Sequence, residues 1–327
     1  MFMLISFACS TVDNLQFQQD PIFLFDDIES YSSGESAEAK RSLIPSEWDG
    51  YNDPSLVLGN DYISNFDQLT LSANLDKEPW SGYYWAEHKG GIAYRWKTDQ
   101  TFDFHIYSKE EIMEAPLYKI EELSPAEKYD LLVGNYEWPL THRSLSNSSP
   151  AESSWTGYCH GWAPASIDFE EPHPIILENE DGIKIPFGSS DIKALLTYFR
   201  ADVLTDKTIY DAWSVENKVL GGACGSAIAI DTACYDSNPA SFHIILGNML
   251  GHRGEAFIMD VDSTYEKWNQ PVFAYDSLIR AEREPNEYAS TRAVKEYIIQ
   301  TTVTWTMEIH PKYTPVLNTS GQHVEER

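Results

Sequence analysis

Within residues 153–166, SSWTGYCHGWAPAS, a proline follows a cysteine by five positions, and that spacing leaves the backbone two choices. A helix carrying both Cys159 and Pro164 kinks at the proline, because the ring has no N–H to donate and crowds the carbonyl four residues back. Otherwise it begins late, with Pro164 in its first turn. A thiol gains most from a helix when it caps the positive end, so the proline weakens that help without removing it. The same stretch gathers a histidine, a tyrosine and two tryptophans, in a chain of 327 residues that has only four cysteines.

The bulk composition narrows the function. Asp and Glu number 51 against 23 Lys and Arg, and the net charge of −28 repels phosphate backbones and anionic head groups, which excludes nucleic acid as a partner. A hydrophobic share of 42% marks a soluble globular chain, and 13% aromatic residues suit clefts lined by rings. The opening MFMLISFACSTVDN is too short an apolar run for a membrane span, which takes roughly 20 residues. It reads as the tail of a secretory signal, with SFAC as a loose lipobox whose Cys9 would be lipidated and anchor the chain to a membrane; an ordinary N-terminus is the other reading. Cys224 and Cys234 flank turn-forming residues and suit a disulfide that would stabilise an exported protein by roughly 2 to 3 kcal/mol, or else two reduced thiols. With Cys9 anchored and those two paired, Cys159 is the one free thiol, and a free thiol in an oxidising compartment needs a reason.

Four regions follow along the chain: a signal or lipid-anchor remnant and acidic tether over 1–48, an irregular, aromatic-rich accessory region over 49–145, a catalytic core over 146–315, and a frayed tail over 316–327. Ser124, ahead of Pro125 and three residues before Glu127, predicts a capped helix ending at Gly134. Ile192, Leu195, Leu196 and Phe199 recur at helical spacing behind Ser190, a second cap candidate. FHIILGNML, GHRG and EAFIMDVD read as strand, turn and strand, and STRAVKEYIIQTTVTWTMEIH as a β-rich or mixed segment. The class is α+β.

A cysteine nucleophile needs a lowered thiol pKa, an imidazole to hold its proton, and a third group to orient the imidazole. His243 lies in the first expected strand of that hairpin, and a turn centred at His252 sets it opposite Asp260 or Asp262, two carboxylates on one sheet face. The alternative is that these are ordinary polar pairs of a hairpin. His160, next to the thiol, would point roughly 100° away on a helix and supports or packs rather than acting as base. No CxxC or HxxxH pair suggests a zinc site, and no Gly-rich phosphate loop or GxSxG elbow is present, so no organic cofactor is expected. DVDSTYE offers Asp260, Asp262 and Glu266 but lacks EF-hand spacing, leaving metal ligands unnamed. Trp155, Trp162 and Trp268 are either cleft walls or core.

Several blocks in order, WTGYCHGWAPAS (155–166), SSDIKALL (189–196), CYDSNPASFHIILGNMLG (234–251) and WNQPV (268–272), supported by LSPAEKYDLLVG and PWSGYYW, resemble the transglutaminase elicitor family of oomycetes and bacteria over about residues 79–280. The resemblance implies a secreted, calcium-dependent protein-glutamine γ-glutamyltransferase with a papain-like core. It implies Cys159 as nucleophile, His243 as base and Asp260, or alternatively Asp262, as the orienting acid, with Trp155, Trp162, Trp268 and Asn269 near substrate. Protein glutamines and lysines are then the partners. The Cys159 thiolate attacks a glutamine amide, His243 protonates the leaving ammonia, and a lysine amine resolves the thioester, while the Cys159 N–H or the Trp155 indole steadies the oxyanion. The family's segment equivalent to 268–275 is exposed and recognised by plant hosts; here Lys267 and Phe273 occupy its variable places. A papain-like protease or glutamine deamidase, and a non-enzymatic surface lipoprotein or adhesin, are the alternatives.

Overall fold

The computed structural model describes residues 53–203, 219–221, 238–262, 266–285, 295–316 and 320–326. The expected tether, Cys9, and the Cys224 and Cys234 pair lie outside the described residues.

Runs of β-branched and aromatic residues build one mixed sheet around a long antiparallel hairpin. Its strands are β1 Ser72–Asn74, β4 Val219–Leu220, β5 Phe257–Asp260, β6 Asn269–Arg283, β7 Glu296–Thr306 and β8 Ser320–Glu326, while β2 Ile175–Glu178 and β3 Lys184–Phe187 form a separate two-stranded ribbon. The order is β4-β5-β6-β7-β8, with β4 parallel to β5 and the other neighbours antiparallel. One edge of β6 is shared: β5 pairs with it as far as Val272, and β1 takes over from Ala274 to Asp276. The expected frayed tail is corrected by β8, which pairs with β7 along its length.

Eight helices accompany the sheet among the described residues: α1 Ser55–Leu58, α2 Lys109–Glu114, α3 Leu117–Glu121, α4 Pro125–Leu132, α5 Pro139–Ser146, α6 Cys159–Asp168, α7 Ser189–Tyr198 and α8 Pro239–Leu246. The cap expected at Ser124 forms as read: its hydroxyl accepts the Glu127 N–H, Glu127 accepts the Ser124 N–H, and Gly134 closes the turn at φ 69°. Glu127 is wholly buried and doubles as the partner of Arg95, whose guanidinium it holds with both oxygens. At α7 the cap differs from expectation. The Gly188 N–H is taken by the Asp191 carboxylate at 2.7 Å, which also accepts from Lys128 Nζ and the Trp96 indole, so Ser190 is not the capping group. The helix is buried on several sides, with Ala194, Thr197 and Tyr198 deeper than the predicted Ile192, Leu195 and Leu196 face.

The expected strand–turn–strand over FHIILGNML and EAFIMDVD is half overturned. Its first strand is the helix α8, which continues into a π-helical turn over Gly247–Arg253; only β5 is extended. Asn238 accepts the N–H groups of Ala240 and Ser241, and Pro239 supplies the first helical φ, a start signal that outweighs the β-branched residues behind it. Asn248, fully buried, then clamps the 60s segment by accepting the Ile63 N–H and donating to the Ile63 and Ile244 carbonyls, each at 2.8 Å. A core of Ile244, Ile245, Leu246, Leu250, Phe257, Val272 and Tyr275 fills one sheet face. Trp80, Trp162, Ala163, Ala165 and Ile258 form a cluster joining α6 to β5.

Candidate active site

Cys159 is the first residue of α6, behind Tyr158, and Pro164 lies inside that helix rather than in its first turn. This settles the two forms open from the sequence, and it costs the His160 carbonyl its usual donor. The helix is seated close on its neighbour: a Cβ at Gly161 would fall 2.3 Å from the Thr197 carbonyl oxygen and 2.5 Å from the Ala201 methyl. That approach fixes where the thiol emerges.

Around the sulfur the sheet contributes backbone. The thiol donates to the Lys267 carbonyl at 3.3 Å, while the N–H groups of Asn269 and His160 point back at it. Asp260, at the end of β5 and paired in register with Asn269, shapes this arrangement: one of its oxygens accepts the Trp268 N–H at 2.9 Å and the Asp262 N–H at 3.3 Å. A single carboxylate thus positions Trp268, between the Lys267 carbonyl and the Asn269 N–H that both face Cys159. The sulfur itself is buried, with 6% of the residue exposed.

Electrostatics at the site runs against a charged thiol. Burial pushes the Cys159 pKa up to about 12, and the carboxylates of Glu308 and Asp260 add to the rise against the two N–H groups. Asp260 is pushed up by its own burial, with the Trp268 and Asp262 N–H groups opposing. Glu308, just beyond β7, is raised to about 7 by burial and held by the Gln270 amide, which donates to its Oε2 at 2.7 Å. Three oxygens in this neighbourhood are sealed without a hydrogen-bond partner: Asp260 Oδ2, Gln270 Oε1 and Glu308 Oε1.

The imidazole assigned as base is elsewhere. His243 sits on α8, not on a strand, so the hairpin register that set it opposite Asp260 or Asp262 does not exist; Asp260 faces Asn269 instead. Its ring lies on Phe66 at 5.1 Å, Phe66 stacks on Tyr297 at 4.5 Å, and Tyr297 pairs with Glu282 near the far end of β6. Asn269, which touches the thiol, begins that strand, leaving roughly 40 Å of extended chain between the two ends at about 3.3 Å per residue. Burial alone lowers the His243 pKa, and its Nε2 is sealed without a partner.

The other expected residues divide. Trp162 is fully buried against Trp80 and Ile258 and is core, not a cleft wall. Trp268 is 9% exposed, packs on Tyr84 at 5.7 Å and donates its indole N–H to Glu266. Trp155 is half-buried and Asp262 half-buried, while His160 is exposed and leans on Tyr158 rather than packing in the core. Asn269 is buried and serves through its backbone. The exposure implied for 268–275 is corrected: Gln270, Val272, Phe273 and Tyr275 are buried, because the segment enters the sheet as the central strand. No group of three His, Cys, Asp or Glu among the described residues could hold a metal ion. A cleft of about 830 Å³ lies at the opposite end of α6, between Lys77, Asp168, Arg200 and Phe257, and does not include Cys159. Glu308 was not among the sequence candidates; it follows a β-rich run in TMEIH, and nothing local distinguishes it from other acids.

A family model described as transglutaminase elicitor matches residues 140–321, more than half of the chain and a span that contains Cys159, Asp260, Asn269 and Glu308. The chain belongs to the transglutaminase elicitor family. Among solved structures, its fold is similar to the GP42 transglutaminase from Phytophthora sojae, with a TM-score of 0.58 and 18% identity over 83% of this chain and 79% of that one. No curated protein matches. The structural match is wider than the family match, so part of the helical region ahead of residue 140 shares the fold of that transglutaminase. Among the described residues, no helix is long and apolar enough to cross a membrane.

Proposed function

We propose that this family member is a secreted thiol acyltransferase that moves the γ-glutamyl group of a protein glutamine onto a lysine amine, with Cys159 as nucleophile. The observation that carries the reading is the placement of the thiol: first residue of a buried helix, with the Asn269 and His160 N–H groups directed at the sulfur. Those donors suit a thiolate and, after attack, help to hold charge near the reacting carbon. In the resting arrangement the thiol is protonated and turned to the Lys267 carbonyl. Activity then begins when that bond opens and a glutamine side chain takes the place of the carbonyl. The thiolate attacks the amide carbon, ammonia leaves, and an amine releases the acyl group as an isopeptide; water in the same role gives deamidation. His243, sunk in an apolar stack, takes no part.

A sealed, protonated thiol is also what a non-enzymatic binding member would show. Monodansylcadaverine incorporation into casein separates the two. The expected result is labelling by wild type and none by Cys159→Ala; equal signals from both proteins would sink the transferase reading.

A further inference from the structure

We propose that Glu308, held by Gln270 beside the start of β6, is the group that takes the proton of Cys159 and passes it to the departing ammonia. The proposal rests on the acyltransferase reading above and names the proton acceptor that His243 does not supply.

The argument is one of register. Asn269 carries the N–H that touches the sulfur, Asp260 is its partner on β5, and Gln270 beside it donates to Glu308, beyond the end of β7 on the other flank. Three strands and one helix thus bring Cys159, Asp260 and Glu308 to one end of the sheet. The two acids are engaged differently. Asp260 gives one oxygen to two backbone N–H groups and is a positioning residue for the loop that carries Lys267 and Trp268. Glu308 receives the Gln270 amide on Oε2 and is also approached by its own backbone N–H, while its Oε1 is sealed with no hydrogen-bond partner. A buried oxygen left unpaired is costly and waits for a proton. Among the described residues, Gln270 from β6 donates to it and Cys159 from α6 feels its charge, while His310 on its own segment is turned onto the Tyr83 ring at 6.2 Å. Lys267 acts on Asp260, and no cation among the described residues holds the Glu308 carboxylate ionised. Burial raises it to about 7, where a base works best at neutral pH.

The protons balance. Glu308 carboxylate takes the S–H proton as the sulfur bonds to the glutamine carbon; the C–N bond then breaks and the carboxylic acid gives that proton to the amide nitrogen, releasing ammonia. The incoming amine loses a proton to the carboxylate as it attacks, and the sulfur recovers it when the thioester opens.

The test compares wild type, Glu308→Gln and Glu308→Asp in amine incorporation across pH 5.5 to 9, with iodoacetamide labelling of Cys159 and thermal melts on the same proteins. Glu308→Gln is expected to lower kcat on the order of 10²-fold with KM unchanged and to lose the acid limb near pH 7, and Glu308→Asp to recover part of both. Wild-type kcat and an intact acid limb in Glu308→Gln overturn the proposal. Labelling separates this from failure of the transferase reading, which shows as wild type no more active than Cys159→Ala. In that case slower labelling of Glu308→Gln above pH 7 still supports proton transfer to Glu308. Faster labelling, as expected if the carboxylate only raises the thiol pKa, overturns it.

Discussion

Buried charge is handled in opposite ways in two regions of this molecule. In the helical region around α4 and α7 three buried carboxylates use both oxygens: Glu127 holds Arg95 through both and caps α4, Asp191 takes Lys128, the Trp96 indole and the Gly188 N–H, and Asp130 accepts from Leu140 and Thr141. At the thiol, three buried oxygens have nothing to accept. Saturated networks of the first kind hold a fold in one arrangement, whereas unsatisfied acceptors store cost that chemistry can release. The two patterns distinguish the buried carboxylates of the helical region from those beside Cys159.

The largest effect that would sharpen this contrast comes from Cys159→Ala, which abolishes amine transfer while leaving the urea midpoint near wild type, since the sulfur makes one weak bond. Next is Lys128→Met. It leaves Asp191 buried with its charge unopposed, and unfolding in urea should show a loss of about 3 to 5 kcal/mol. A variant as stable as wild type would break the contrast on the scaffold side. Gly161→Ala should cost about 1 to 3 kcal/mol by pushing α6 from the Thr197 carbonyl, and activity should fall with it as the thiol shifts. The smallest effect is in pH. A carboxyl whose folded pKa is raised to about 7 binds its proton more tightly folded than unfolded, so its contribution to stability is full below about 4.5 and is lost as pH rises through 7. Melting temperature should therefore fall from pH 5 to 8 more steeply in wild type than in Glu308→Gln; parallel curves would break the assignment of the buried acid.

Much of the fold was legible. Ser124, Pro125 and Glu127 announce α4 because capping is local chemistry, and β7 follows from its β-branched run. The sequence rarity of Cys159 marked the proposed nucleophile. The misreading of α8 came from weighting Ile244, Ile245 and Phe242 as strand formers above Asn238 and Pro239, when tertiary burial decides the former and the chain itself decides the latter. That error set His243 opposite Asp260 or Asp262, and the resemblance named it as base as well. Glu308 was invisible for a different reason: its meaning depends on pairing across β5, β6 and β7, which no spacing within one segment records.

The handover on one edge of β6, from β5 to β1, has a practical corollary. The family match starts at residue 140, yet β1, Trp80 and the run from Tyr83 to Ala93 lie earlier and pack against the hairpin, α6 and α7. An expression fragment cut to the family boundary would bare unpaired amides along that edge and strip Trp162 of its neighbour, inviting self-association. Fragments for crystallisation or screening should start upstream of Asp53.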